Sequence, residues 1–587
     1  MESPDSRAPD RLGRRAFVRA LAAGGLAPAL GALAGAGTAA RAQPGAGGRR
    51  GGGGALRLLY WQAPTILNPH IATGAKDLAG SRVFYEPLAE FDTEGRLVPI
   101  LAADIPSVEN GGVAPDGTWV VWTLKRHVSW HDGKPFTADD VVFNWEYAAD
   151  PATAATSLGL YRDLKRVERV DDHRVRVVFA QPAPFWAEPF CGSGGLLIPR
   201  HVFAPYRGAA SREAAANLKP VGTGPYRFAD FRPGDTLRAA VNPAYHVAGR
   251  PAFDTLEIKG GGDAVSAARA VLQTGEYDFA WNVQAEDALL RRLEEGGKGR
   301  VVIVPSSAPE HIRLNFADPW REVDGERAHP GTRHPLLSDP AVRRALALVV
   351  DRDAIAREIY GRQGEATANF LNLPTRFRSP NTRWEWSVER AGQVLEAAGW
   401  RRGADGIRAK DGRKLKLVFQ TSINAPRQKT QAIVKQAAAR AGIDVEIKSV
   451  VASVFFSSDA GNPDTVSHFY ADLQMYAVFM GRPDPQRFME QFTSWQIASR
   501  ANKWARSNNT RWRSEEYDRL WRAAERELDP ARRAQLFIRM NDLVIAEGVV
   551  IPLVLRRETA AVSNRLAGVD LTPWGSNLWN LHEWRPA

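Results

Sequence analysis

Runs of apolar, β-branched and aromatic residues alternate along the chain with stretches of helical periodicity. Such runs predict strands, because these residue types favour extended backbone. The predicted strands are Leu56–Trp61, Thr118–Leu124, Arg174–Ala180, Thr255–Lys259, Val301–Val304, Lys414–Gln420 and Ile443–Val450. Strands that alternate with helices of ordinary length predict an α/β protein.

Four helices are predicted from apolar spacing and from capping residues at their starts. Asp339 and Pro340 open one long helix, which continues to Gly361. Thr137 opens another, with Asp140 three residues on in capping-box spacing. The remaining two begin at Ser387 and Asp529.

Composition indicates a folded protein of several domains. The chain has 587 residues, of which 44% are apolar and 24% charged, and folded domains commonly hold about 150 residues. The single cysteine, Cys191, excludes an intramolecular disulfide and a cysteine-rich zinc site. The net charge of +11 is scattered rather than blocked, which indicates a solvated surface and no nucleic-acid partner.

The N-terminus, residues 1–42, is predicted to be an export signal. Arg14-Arg15 precedes a weakly apolar Ala/Gly/Leu-rich run, and small residues stand before a cut after Ala42. The paired arginines resemble a twin-arginine signal, although Gly13 stands where Ser or Thr is preferred. A retained membrane anchor is the alternative. Residues 43–55 are glycine-rich and are predicted to form a flexible linker.

No catalytic residue, metal or cofactor is predicted. Phosphate-loop, dinucleotide-binding and zinc-protease motifs are missing from the sequence. His127 and His131 lie on a predicted strand and turn, where four residues span roughly 13 Å, too far for a shared metal. Cys191–Gly195 is interpreted as a turn, not a serine-nucleophile loop. Three tryptophans either line a ligand cleft or pack in the core: Trp495, Trp504 and Trp512.

An ordered set of motifs carries a family resemblance. The motifs are Tyr85–Leu88 (YEPL), Val128–Phe143 (VSWHDGKPFTADDVVF), Val221–Tyr226 (VGTGPY), Arg343–Arg352 (RRALALVVDR) and Gly442–Glu446 (GIDVE). Together they resemble the extracytoplasmic solute-binding proteins of peptide- and nickel-type ABC importers, family 5. The likeness runs from about Leu56 to the C-terminus.

The resemblance implies an α/β, two-lobed periplasmic-binding-protein fold of type II, in the large class with an extra subdomain. Lobe I would span 56–308, with the extra subdomain at about 91–220. Lobe II would span 309–548, and 549–587 would return to lobe I. Ligand would bind between lobes that close on it.

The implied function is the substrate-binding component of an ABC importer. It would capture a peptide-like or other small polar solute as a periplasmic monomer. Its partners would be the permease and ATPase subunits of the inner membrane. An exported enzyme, or a binding protein serving a receptor, is the alternative class.

In peptide-binding members, a lobe II segment carries an aromatic residue and an acid that binds the peptide's α-ammonium group. The matching segment here is Asp472–Pro485, with Val478 at the aromatic position and Gly481 at the acid position. A buried ammonium without a carboxylate is costly, so we expect no such contact unless a shifted alignment brings in Asp484. Arg482 favours an acidic or sugar-like ligand.

The expected ligand-binding residues follow the first and sixth predicted strands and the Asp472–Pro485 segment. They are Trp61, Gln62, Asn424, Arg427, Tyr476, Phe479 and Gly481. Gln62, Asn424 and Arg427 would supply polar contacts, whereas Tyr476 and Phe479 would supply an apolar wall. The alternative for Arg427 is that it only solvates the start of a helix after Pro426.

Overall fold

Helices and strands alternate through the computed structural model, which describes residues 50–72, 74–456 and 461–587. The predicted export signal lies outside these residues. The α-helices of the described ranges are Ala75–Arg82, Ala138–Ala149, Arg200–Phe203, Ala264–Leu272, Asp287–Glu294, Pro340–Leu348, Arg352–Ile355, Val388–Ala397, Ala425–Ala441, Ala452–Phe455, Gln486–Met489, Glu515–Ala524 and Pro530–Ala546.

A mixed sheet forms the centre of the first half of the molecule, which we call lobe I. Its described strands, in spatial order, are Gly299–Val304, Glu558–Ser563, Phe279–Trp281, Ala55–Leu59, Thr255–Lys259, Thr236–Val241 and Tyr226–Arg232. The central strand Ala55–Leu59 runs parallel to both of its neighbours. Its side chains Leu56 and Leu58 are fully buried, as expected of a strand inside a parallel sheet.

A second mixed sheet forms the centre of the other half, lobe II. Its described strands, in spatial order, are Gly364–Ala366, Val550–Arg556, Pro309–Leu314, Leu473–Ala477, Lys416–Ser422 and Asp444–Val450. Here Lys416–Ser422 is the strand with two parallel neighbours. The chain therefore enters this sheet after Val304 and leaves it after Arg556.

The second crossing differs from the sequence-based boundary, which placed the return to lobe I at residue 549. Val550–Arg556 pairs with Pro309–Leu314 in the second sheet, and only Glu558–Ser563 pairs in the first. The strand is a continuous buried apolar run without the alternation that marks a half-exposed strand. The length of this strand and the turn residues beside it do not reveal which of the two main sheets it joins.

Smaller sheets flank the two main ones. Within the predicted extra subdomain, Trp119–Thr123, Arg174–Phe179 and Leu164–Asp171 form an antiparallel sheet. The other short described strands pair as Ala89–Phe91 with Leu97–Pro99, Glu322–Val323 with Glu326–Arg327, Arg408–Lys410 with both Arg401–Arg402 and Arg413–Lys414, and Leu566–Ala567 with Arg585–Pro586.

All four helix starts fall where their caps predict. Thr137 and Asp140 form the expected reciprocal capping box. The side chains of Ser387 and Asp529 each accept a hydrogen bond from the backbone three residues on. The prediction of one long helix from Asp339 to Gly361 is wrong. The helix that Asp339 opens, Pro340–Leu348, ends early, and the Asp351 side chain caps a separate helix by accepting a hydrogen bond from Ala354 N.

The flexible linker predicted over residues 43–55 is ordered at its described end. The amides of Gly51 and Gly53 donate to the carbonyls of Pro251 and Ala252 over 2.9 and 3.0 Å. The Asp254 carboxylate accepts from Gly52 N and Gly54 N. Glycine lets this backbone lie directly against the 251–254 loop, so residues 50–54 extend the edge of lobe I.

Candidate functional site

The two main sheets present matching edges. In each sheet a central strand has parallel neighbours on both sides, so three carboxyl ends lie together. In lobe I these are the ends of Ala55–Leu59, Thr255–Lys259 and Phe279–Trp281. In lobe II they are the ends of the strands Lys416–Ser422, Asp444–Val450 and Leu473–Ala477. In open α/β sheets, ligands bind outside the carboxyl ends of the strands.

One cavity joins these two edges. It is narrow, with about 30 Å³ of free volume, and its lining includes Gln284 and Ala285 from lobe I. Asn424 and Arg427 line it from lobe II. Nearby, the exposed Lys429 ammonium lies 2.7 Å from Glu286 across the gap. Two of the sequence-predicted site residues, Asn424 and Arg427, thus line the same cavity as lobe I residues.

An aromatic stack stands at the carboxyl ends of two lobe I strands, Ala55–Leu59 and Phe279–Trp281. Trp281 stacks on Tyr60 at 5.2 Å with an interplanar angle of 4°, and on Trp61 at 6.1 Å. The Trp61 indole donates a hydrogen bond to the carbonyl of Asn282 over 3.2 Å. Gln62 follows with an exposed side chain. Trp61 and Gln62 were predicted from the sequence, whereas Trp281 was missed because its strand is only three residues long.

The lobe II wall is apolar and exposed. A large apolar side chain follows closely after the end of each parallel strand there, and a fourth follows the short helix Ala452–Phe455. Each has between 47% and 54% of its surface exposed; they are Ile423, Val451, Phe479 and, after the helix, Phe456. Large apolar side chains exposed together mark binding surfaces more often than chance exposure. Phe479, which the sequence predicts as apolar wall, is exposed after the strand Leu473–Ala477, and its contact with a solute stays a prediction. The other three residues were not among the predicted site residues.

Tyr476 does not belong to this wall, which corrects the sequence-based expectation. Its side chain is buried, its hydroxyl accepts from Asn509 Nδ2 over 3.0 Å, and its ring lies 5.1 Å from the Arg313 guanidinium. The strand Leu473–Ala477 is covered on both faces, so buried and exposed side chains do not alternate along it. Tyr476 supports the wall from beneath.

Arg427 is not a free cation, which corrects its expected role as a polar ligand contact. Its guanidinium pairs with Glu310, with Nε 2.6 Å from Oε1, and also donates to Ser422 Oγ over 2.9 Å. Burial lowers the pKa of Arg427, but the charge of Glu310 outweighs it and raises the pKa above its ordinary value. The positive charge of Arg427 is therefore neutralised within the protein. Arg556 places a second cation 3.7 Å from Glu310.

The acids nearest the expected α-ammonium position are also engaged. Asp472 accepts from His334 Nε2 and Trp320 Nε1, each over 2.9 Å, and from Val418 N. The Asp484 carboxylate is paired with the buried Arg533.

Gly481 is exposed, and a Cβ built on it meets nothing within 4 Å. Glycine at this position provides no carboxylate for an ammonium group. Among the described residues of this segment, no carboxylate is left over for the ligand's amino end.

The tryptophans left open by the sequence pack against the protein. Trp512 is buried in the core, and Trp495 lies edge-on to Trp521 at 5.3 Å. Trp504 stacks on His468 at 3.9 Å. The His131 ring, considered as a metal ligand, instead bonds the backbone of the Gly222–Gly224 loop.

A metal-binding cluster and a membrane-spanning helix are both absent from the described ranges. These ranges contain no group of three or more His, Cys, Asp or Glu side chains placed to hold a metal ion. No helix within them is long and apolar enough to cross a membrane.

Comparison with known proteins identifies the family. Residues 96–499 match the model of bacterial extracellular solute-binding proteins, family 5. The chain belongs to this family. The resemblance drawn from the sequence motifs is thereby confirmed, and so is the two-lobed type II fold.

The family 5 relatives are named for several solutes. The oligopeptide-binding protein AppA of Bacillus subtilis is 28% identical over 66% of this chain and 67% of its own. The glutathione-binding protein GsiB of Escherichia coli K12 is 23% identical over 87% of this chain and 90% of its own. These relatives are solute-binding proteins, not enzymes.

Solved structures share the fold. The structure of NikZ from Campylobacter jejuni in complex with Ni(L-His) superposes with a TM-score of 0.74 at 21% identity, covering 90% of this chain and 99% of that one. AppA from B. subtilis in complex with a nonapeptide gives a TM-score of 0.72 at 21% identity, covering 92% and 100%. At this identity the likeness establishes the fold alone.

Proposed function

We propose that this family 5 protein is the substrate-binding component of an ABC importer. It captures a peptide-like or other small polar solute between the carboxyl edges of its two main sheets. The permease and ATPase subunits of the inner membrane then receive the solute. The observation that carries this proposal is the meeting of the two carboxyl edges in one cavity, with a hinge of two chain crossings beside it.

The walls of the gap fit a solute with both apolar and polar parts. Trp61 and Trp281, which stack on each other and are partly exposed, would offer flat aromatic surface from lobe I. Phe456 and Phe479 offer apolar surface from lobe II. Gln62 and Gln284 supply amide donors and acceptors between them. Such mixed walls are typical of small-molecule sites.

We propose further that the solute does not present an α-ammonium group to the Asp472–Pro485 segment. Gly481 offers no carboxylate, and Asp472 and Asp484 already have partners. An unpaired buried ammonium is costly.

The proposed location is the periplasm. The twin-arginine-type signal at residues 1–42 would direct export, with cleavage after Ala42. The mature protein would act there as a monomer.

A thermal-shift screen of oligopeptides, glutathione, opines, sugars and nickel chelates tests the function. A solute present at 100 times its Kd stabilises the protein by about 2.7 kcal/mol, which raises Tm by a few degrees for a chain of this length. Mass spectrometry of the native protein would identify any solute that co-purifies. Conversion of a bound solute to product would contradict the binding role.

A pair of variants locates the site. Phe479→Ala should weaken the best solute, because it removes half-exposed apolar wall at the gap. Trp386→Ala is the matched control, since Trp386 is equally exposed but lies in the loop before helix Val388–Ala397. Equal losses from both variants would contradict the proposed location.

A further inference from the structure

A second cavity between the lobes contains two arginines. It has about 710 Å³ of free volume and is open to solvent. Lobe I lines it with Thr156, Ser157 and Gly194, among others, and lobe II lines it with Phe456, Arg482 and Arg487. Phe456 also belongs to the apolar wall described above. The cavity therefore extends the proposed solute site from the sheet edges toward the extra subdomain.

Arg487 is already neutralised. Its guanidinium pairs with Asp163 of lobe I and lies 3.7 Å from Glu490. Glu490 in turn accepts two hydrogen bonds from Arg162, over 3.0 and 3.2 Å. These charges satisfy one another across the lobes.

Arg482 differs from this network. No hydrogen bond found among the described residues uses its guanidinium, and its nearest carboxylate oxygen is Glu188 Oε2 at 3.9 Å. About 21% of its side chain remains exposed. A guanidinium presents five donors in a rigid fork that suits a carboxylate bidentately. Those donors face the cavity unused.

Glu188 is a weak partner for this cation. It is buried, and its Oε1 has no hydrogen-bond partner in the described structure. Burial, which the charge of Arg482 only partly offsets, raises the pKa of Glu188 to about 7. The other charges that act on it are Asp163, Asp484 and Arg533. This upward shift weakens the negative charge that Glu188 offers to Arg482.

The cavity wall is shaped around Arg482. A Cβ built on Gly194 would overlap with Nη2 of the Arg482 guanidinium. Gly194 lies in the glycine-rich turn after the buried Cys191. The absence of a side chain at Gly194 lets the guanidinium lie against the turn's backbone.

We propose that the Arg482 guanidinium binds a carboxylate of the transported solute, so that this protein selects carboxylate-bearing solutes with an apolar portion beside Phe456. The inference rests on the proposed importer function and specifies its solute class. Arg482 is thus a weakly paired cation in a segment whose two acids, Asp472 and Asp484, already have partners. A dianionic phosphate would need a second free cation, whereas Arg162 and Arg487 are already paired.

Calorimetry with matched solute pairs tests the proposal. The probes are dipeptides, tripeptides, glutathione and opines, each as the free acid and as its carboxamide, with N-acetylated peptides and inorganic phosphate alongside. The wild-type protein should bind at least one free acid roughly 10- to 100-fold more tightly than its amide, as expected for hydrogen bonds to a charged group. N-acetylation should change affinity little.

Three variants and a control assign the preference to Arg482. Arg482→Gln should abolish the preference for the acid and leave the amide's affinity unchanged, and Arg482→Lys should retain part of it. Gly194→Ala keeps the charge but displaces it, so the preference should shrink. Arg526→Gln removes an exposed charge elsewhere in lobe II and should change nothing. Circular dichroism and melting confirm that each variant is folded.

Several results would overturn the proposal. Equal affinity for acids and amides overturns the inference but leaves the importer function intact, as does a preference that survives Arg482→Gln. Stronger binding of phosphate than of any carboxylate assigns the cavity to another anion. Failure of every probe, amides included, overturns both proposals together.

Discussion

Removing the charge of Arg427 should destabilise the fold rather than weaken a ligand. The Arg427 guanidinium and the Glu310 carboxylate are both buried, with Nε and Oε1 2.6 Å apart. Breaking a buried pair by removing one partner typically costs 3–5 kcal/mol, because the remaining charge stays buried without compensation. For a lobe of ordinary size this lowers Tm by roughly 6–20 °C.

The variant is Arg427→Met, which keeps most of the side-chain volume. Lys429→Met is the matched control on the same helix, because Lys429 also pairs with a glutamate, Glu286, but is about half exposed. An exposed pair is worth about 0.2–1 kcal/mol. Urea unfolding followed by circular dichroism gives both free energies of unfolding.

A double variant separates charge from packing. Glu310→Met combined with Arg427→Met removes both charges, and apolar replacements of a buried pair recover much of the lost stability. Recovery should be incomplete here, since Arg556 lies 3.7 Å from Glu310 and would lose its carboxylate. If Arg427→Met unfolds at the wild-type urea concentration yet loses solute affinity, the reasoning is wrong and Arg427 is a ligand contact.

Three further predictions concern charge. The folded pKa of Glu188, about 7, exceeds its unfolded pKa, so the stability of the wild-type protein falls as pH rises from about 4.5 to 7. Glu188→Gln should therefore raise Tm by a few degrees at pH 8 and have no effect near pH 5. Burial lowers the pKa of His70 and His131 to about 4, so urea titrations should show stability lost as pH falls from about 6.5 to 4, by up to about 3 kcal/mol for each histidine; an unchanged midpoint at pH 4.5 would contradict this. Gly481→Asp fits without a clash and should weaken carboxylate solutes in calorimetry while improving those with a free amino group; no change in either would show that Gly481 does not face the solute.

Local capping and alternation were readable from the sequence. Thr137 and Ser387 cap their helices because their side chains accept backbone hydrogen bonds, and that chemistry is local. Two of the strands missed, Val550–Arg556 and Pro309–Leu314, are buried on both faces. Their burial depends on distant elements, so the chain itself carries no alternating pattern there.

The candidate site was predictable only in part for a similar reason. Trp61, Asn424 and Phe479 follow strand ends, so their position at the sheet edges could be inferred once the strands were assigned. The pairing of Arg427 with Glu310 joins residues 117 positions apart, and nothing local predicts it. The same holds for Arg482 and Glu188, whose contact depends on how a lobe I turn meets lobe II.

The contacts that join the lobes bear on how a solute could control closure. Lys429 pairs with Glu286 on one side of the gap, and Arg162 pairs with Glu490 on the other; both pairs are partly exposed. Partly exposed pairs contribute little each. The pairs of Arg487 with Asp163 and of Arg362 with Asp287 also join the lobes and are better buried, so they oppose opening more strongly. A carboxylate on Arg482 would add a charge-assisted contact at the lobe II face of the same gap. Because a ligand shifts an equilibrium only by its difference in affinity for the two states, that contact can favour closure only if lobe I also touches the solute. Gly194 and Ser157 are the lobe I residues placed to do so.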